Sequence, residues 1–212
     1  MKKLILTIFS IMLLPIAAYS AETRIGFTAA LSFFTSDGTE TTKSSNEKNS
    51  KEIEEEAIVP GIFIERENDN GITFGFEYNP GEAELGSGTG DNDDDETSGA
   101  NKASAEVSGH MSFYGLIPSG PGFVRLGIVR ASVDTTENLA TGTKYGDEDV
   151  NGFVIGYGVQ RSGDGNFVRF EGTYTMYDDL TFNGSLDGDS VRNKVDAEID
   201  ALALKFSVGK SF

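Results

Sequence analysis

From Ala201 to the end of the chain, Leu202, Leu204, Phe206 and Val208 occupy one parity, with Ala201, Ala203, Lys205, Ser207 and Gly209 on the other. A period of two defines a β-strand with one apolar face and one small or polar face. The same alternation returns in seven earlier segments of about ten residues, separated by polar, glycine-rich breaks. Beyond residue 20 no apolar run approaches the roughly 18 residues of a spanning helix. A chain patterned this way builds sheets.

The first segment places Ile25, Phe27, Ala29, Leu31 and Phe33 against Arg24, Gly26, Thr28, Ala30 and Ser32. The second sets Ile58, Pro60, Ile62 and Ile64 against Val59, Gly61, Phe63 and Glu65. Pro60 has no N–H for a ladder, so it is expected near a strand end or bulge. The third sets Ile72, Phe74, Phe76 and Tyr78 against Thr73, Gly75 and Glu77, and the fourth carries Ala103, Ala105, Val107, Gly109, Met111 and Phe113 on one face. Its other face is Ser104, Glu106, Ser108, His110 and Ser112. Val124, Leu126 and Ile128 mark the fifth, where Arg130 breaks the parity and predicts a bulge or emergence from a bilayer. Phe153 to Val159 and Val168 to Met176 complete the set before the closing strand. Short turns at 67–71, 117–122 and 162–166 alternate with polar loops at 35–56, 79–102, 134–149 and 178–194. Eight strands with both chain ends on the short-turn side follow, an arrangement common to outer-membrane barrels.

A soluble eight-stranded barrel turns its apolar face inward, whereas a membrane barrel turns it outward. The polar parity decides between them. Gly152, Gly156 and Gly158 share it on one strand, and Gly26, Thr28, Ala30 and Ser32 on another. Small residues suit the narrow interior of eight strands, and a face of Phe, Ile, Leu and Val suits lipid.

Met1-Lys2-Lys3, the apolar run Leu4–Ala18 and the small residues before Ala21 form a secretory signal peptide over 1–20. The expected mature domain is 21–212, carrying four long acidic extracellular loops. The formal charge is −17, becoming −19 once Lys2 and Lys3 leave with the leader. Such a surface excludes nucleic acid as a partner. An exported chain with no cysteine needs another source of stability, which a closed barrel in lipid supplies. With its terminal Phe212, the mature chain resembles the eight-stranded outer-membrane β-barrels of the OmpA, OmpX and opacity-protein group. The resemblance implies a Gram-negative outer membrane, contact with its lipid, and recognition of Phe212 by the barrel assembly machinery. Lys210 departs from the group, which usually has an apolar residue there.

Glu77, Arg125, Arg169, Glu171 and Lys205 share the inward parity at similar depth above the short turns, with Glu106 higher up. Buried charges require partners, so these five are expected to form a salt-bridge plug, the arrangement the resemblance also implies. A selectivity filter in a small cation-favouring porin is the alternative. His110 and Ser112 share the lumen face, and lipid A deacylases of similar fold use a His-x-Ser pair supported by a Glu; Gly122 and Phe123 stand where that Glu would be sought. A serine without an oriented base is a poor nucleophile, so the expectation is a non-enzymatic surface or structural protein. Asp91–Glu96 imitates the start of a calcium loop, but Glu96 and Lys102 replace its required Gly and Glu, leaving at most weak divalent binding. Gly86–Gly90 precedes no helical pattern and cradles no phosphate, and no cofactor motif is present. The ligand of the loops is not written in the sequence.

Overall fold

The computed structural model describes residues 22–42, 46, 48–94, 97–139, 143–185 and 193–212. The signal-peptide segment lies outside them, as do the side chains of the calcium-like stretch 91–96. Ten strands follow in order: β1 (Thr23–Thr42), β2 (Lys48–Glu67), β3 (Thr73–Asn79), β4 (Ala83–Asp94), β5 (Thr97–Ser119), β6 (Gly122–Asn138), β7 (Glu148–Gly163), β8 (Asn166–Tyr177), β9 (Leu180–Asn183) and β10 (Asn193–Ser211). Neighbours pair antiparallel, and β1 closes on β10 from Arg24↔Ser211 to Thr42↔Asn193. β4 continues the line of β3 along β5, and β9 continues that of β8 along β10. The ring therefore has eight staves.

The short turns lie at one end. Asp164 and Gly165 both take positive φ (52° and 74°), the pair of left-handed residues that a two-residue type I′ hairpin requires. The turn expected over 117–122 is shorter, because Ile117, Pro118 and Ser119 stay in β5 opposite Val124, Phe123 and Gly122.

At the opposite end the structure corrects the sequence reading. The segments 35–56 and 79–102, expected as irregular loops, are largely strand among the described residues, and strand also enters 134–149 (134–138, 148–149) and 178–194 (180–183, 193–194). β1 and β2 run 20 residues each and pair from Thr41↔Lys48 downward, and β4 pairs with β5 up to Asp94↔Thr97. The staves thus rise well beyond a ten-residue span.

The polarity of the two faces inverts along the way. In the lower half the apolar parity points outward, with Phe27 at 67% exposure and Ile58 at 75%, while Thr28, Ser32, Ser112 and Thr173 are buried inside. Above Phe33, Ile58, Ile128, Phe153 and Leu202, polar and charged residues take the outward positions, among them Asp37, Glu56, Arg130, Asp149 and Glu198. On β10 the outward Leu202, Leu204, Phe206 and Val208 give way to Glu198, while Ile199 and Ala201 turn inward. Phe34, Leu85, Val107, Val133, Val150, Leu180, Phe182 and Ile199 pack together inside the upper ring. The lower half is built for hydrocarbon outside. The upper half is built for water outside and an apolar core within.

One feature of β5 shifts two residues from their expected face. Its register with β6 slips between Ser108 and Met111, where Gly109 adopts a φ of 58°. A residue with a side chain resists that conformation, so glycine permits the bulge. Below it His110 and Ser112 face the lumen. Above it Val107 points inward and Glu106 is exposed, contrary to the lumen position expected for Glu106. At Arg130 the β6–β7 ladder runs on unbroken, while the β5–β6 ladder slips between Ser108↔Ser132 and Met111↔Arg130. The bulge expected at this level therefore lies in the facing strand β5, where the wall also leaves the apolar band. The Arg130 guanidinium meets Asp149 at 2.6 Å on the exposed face.

A seam interrupts the hydrogen-bonded wall. β2 pairs with β3 only up to Ile62↔Tyr78, and among the described residues no ladder joins the rest of β2 to β4. Pro60 explains where pairing stops, since it offers no N–H. Its carbonyl accepts a hydrogen bond from Asn79 Nδ2 at 3.2 Å instead. Side chains close the gap above: Ile53 packs so tightly on Gly86 that a Cβ there would meet its Cδ1 at 2.7 Å.

Candidate functional site

Glycines on the lumen face make room for aromatic rings. A Cβ on Gly26, Gly75, Gly158 or Gly209 would run into the ring of Phe63, Tyr114, Phe123 or Phe167, respectively. Each ring reaches over the glycine of a neighbouring strand, filling the narrow interior of an eight-stranded barrel. The inward charged residues sit among these rings.

Two ion-paired groups result. Arg169, with 1% exposure, makes two 2.6 Å hydrogen bonds to the Glu65 carboxylate, and Gln160 Oε1 accepts from its Nε at 3.0 Å. Phe63, Phe123 and Phe167 surround this guanidinium with ring centroids 5.4, 5.3 and 5.2 Å from Cζ. Tyr114 donates to Glu65 Oε1 at 2.7 Å and carries the Arg125 guanidinium 3.5 Å above its ring. Arg125 in turn donates to Glu77 at 2.9 Å and to Glu171 at 3.2 Å. Lys205 donates to both oxygens of Glu77, at 2.5 and 2.7 Å.

All five residues expected in the lumen are buried there. Their pairing is not between nearest neighbours on adjacent strands. Lys205 lies directly across from Glu171 in the β8–β10 register, yet reaches across the lumen to Glu77, while Glu171 takes Arg125. The sixth member, Glu65, is missing from the expected cluster although it shares the inward parity of Gly61 and Phe63. Its strand position was the available signal. Three carboxylates balance three cations, so a set of buried ions becomes tolerable through mutual pairing and multiple hydrogen bonds.

Above this layer Asn79, His110, Ser112, Thr175 and Tyr177 line a cavity of about 70 Å³. His110 Nδ1 hydrogen-bonds Asn79 Oδ1 at 3.1 Å, whereas Ser112 Oγ is buried with no hydrogen-bond partner. The pair shares a face without being assembled as base and nucleophile. At the short-turn end Arg24 pairs with Glu67 and with Glu22 at 3.3 Å. No group of His, Asp and Glu side chains with the spacing of a metal site occurs among the described residues.

No protein-family model matches the chain, and no curated protein does. Among solved structures it is similar to the outer membrane protein OprG from Pseudomonas aeruginosa, with 12% identity and a TM-score of 0.53. The match covers 91% of this chain and 95% of that one. The fold is that of an eight-stranded outer-membrane β-barrel. Looser matches are Neisserial surface protein A (12% identity, TM-score 0.40, covering 90% and 97% of the two chains) and Ail of Yersinia pestis (9%, 0.36, covering 87% and 98%). At 12% identity the likeness to OprG is one of fold.

Proposed function

We propose that this protein is a non-conducting, non-enzymatic barrel of a Gram-negative outer membrane, serving at the cell surface through its tall long-hairpin end. The ion-paired layer carries this reading. Glu77 is held from two sides by Lys205 and Arg125, so side chains from β3, β6, β8 and β10 meet across the lumen instead of lining an open path. Beneath them Arg169 and three phenylalanines fill the next level. An eight-stranded ring leaves little space once such side chains are in place. His110, turned to Asn79 and not to Ser112, supports the absence of nucleophilic chemistry.

Purified protein in planar bilayers is expected to conduct only in rare openings. Steady channels favouring cations would overturn the plug and establish a small porin. The outward band contacts membrane lipid, and the short turns face the periplasm, as is usual for such barrels.

Assembly is the second part of the proposal. Phe212 exchanges backbone hydrogen bonds with Thr23, at 2.9 and 3.2 Å, while its ring remains 70% exposed beside Lys210. A ring left outside the closed barrel is available to the assembly machinery. Deleting Phe212 is expected to reduce the amount of folded protein in outer-membrane fractions severalfold, and undiminished levels would refute this role.

A further inference from the structure

The apolar core of the upper ring does not fill it. A cavity of about 310 Å³ stands above Val133, Phe182 and Ile199, walled by Ile53 of β2, Gly88 of β4 and Ala197 of β10. Empty apolar cavities of about half that size admit benzene, because water gains too few hydrogen bonds inside them. This volume is also at the lower end of small-molecule pockets. The outward faces around it are acidic, so the cavity stands above the hydrocarbon band and opens to water.

Its few polar groups restrict what can enter. Ser36 Oγ is buried on the wall without a hydrogen-bond partner. At the mouth, Tyr145 donates its hydroxyl to Glu40 at 3.2 Å; burial and that carboxylate push the phenol well above its ordinary pKa, so it stays a donor. Lys51 and Glu137 lie on the same rim and offset each other, on a chain of net charge −17. A carboxylate or sulfate head would therefore find no net positive charge, whereas one hydroxyl or carbonyl would find Ser36.

We infer that the upper barrel is a calyx for a small uncharged apolar molecule carrying a single hydrogen-bonding group, taken from the aqueous side. Below it the charged layer closes the lumen, so the ligand is held and not passed on. Binding in the cavity rests on the membrane placement proposed above and not on the plug; only retention of the ligand rests on both. Steady channels in the bilayer measurement would overturn the plug and leave the binding result standing.

The chain contains no tryptophan, so Phe182→Trp places a single reporter on the cavity floor. The probe is a medium-chain alcohol brominated at its far end, added to the protein in lipid vesicles. Saturable quenching of the Phe182→Trp variant is expected. Phe153→Trp, on the lipid-facing side, should show only the linear quenching of probe dissolved in the bilayer. Filling the cavity with Ala197→Phe, or with Gly88→Leu where an added Cβ meets nothing within 4 Å, should abolish the saturable component. Either filled variant suffices if it retains wild-type heat-modifiable migration. The matching brominated carboxylate should quench weakly and without saturation. Linear quenching at both reporters, or saturation unaffected by filling, would overturn the calyx; equal binding of the carboxylate would overturn its preference for uncharged ligands.

Discussion

Replacing Glu77 with alanine is expected to cost the barrel about 3–5 kcal/mol and to convert rare openings into steady conductance. Removing one partner of a buried ion pair leaves the other charged and uncompensated, and that penalty dominates. Glu77 is the point of greatest leverage because two cations share it. Lys205 loses the only ion pair described for it, and Arg125 keeps Glu171 alone. Lys205→Ala should be milder, since Glu77 retains Arg125, yet it should still raise conductance and lower stability together. Replacing Glu77 and Lys205 jointly with leucine removes both charges and should recover most of the stability lost in Glu77→Ala. Urea unfolding in vesicles and single-channel recording test these together. Unchanged unfolding with a quiet channel in Glu77→Ala would show that the layer neither seals nor stabilises.

The second large effect concerns the inversion of the faces along β10. Leu204→Lys places an ammonium in the outward apolar band, and near the midplane of a bilayer that costs about 2–4 kcal/mol. Five residues earlier, Ile199→Lys is expected to be at least as damaging for the opposite reason, because position 199 is buried in the upper core. Glu198→Lys, one residue before Ile199 and on the exposed outward face, should change stability by no more than about 0.5 kcal/mol. Unfolding free energies of the three variants decide it. If Ile199→Lys behaved like Glu198→Lys, the upper ring would not be packed, and the calyx would lose its walls.

That inversion also shows how far the sequence could be read. Val195, Ala197, Ile199 and Ala201 alternate with Asp196, Glu198 and Asp200 as regularly as the membrane strand that follows. This stretch follows the loop expected over 178–194 and carries its apolar residues on the inward parity. Read as period, it is a strand in the opposite phase, and the same holds for Ile53 to Val59 with Glu52, Glu54 and Glu56. Acidic content concealed the alternation. Glu106 failed for a different reason. Parity propagates along a strand only while the ladder is regular, and Gly109 breaks it.

The sequence by itself determined the number of staves, the short-turn end, the lipid-facing parity in the lower half and five of the six charges that pair inside. Those follow from a period of two, which assigns every residue to a face from local information alone. The tertiary structure decided which charges meet, where the wall is left unpaired, and that a cavity stands above the charged layer. Lys205 passes over its cross-strand neighbour Glu171 to reach Glu77, 128 residues away in the chain. Closure of the ring brings those two side chains face to face across the lumen, and no local pattern encodes a contact made through the interior.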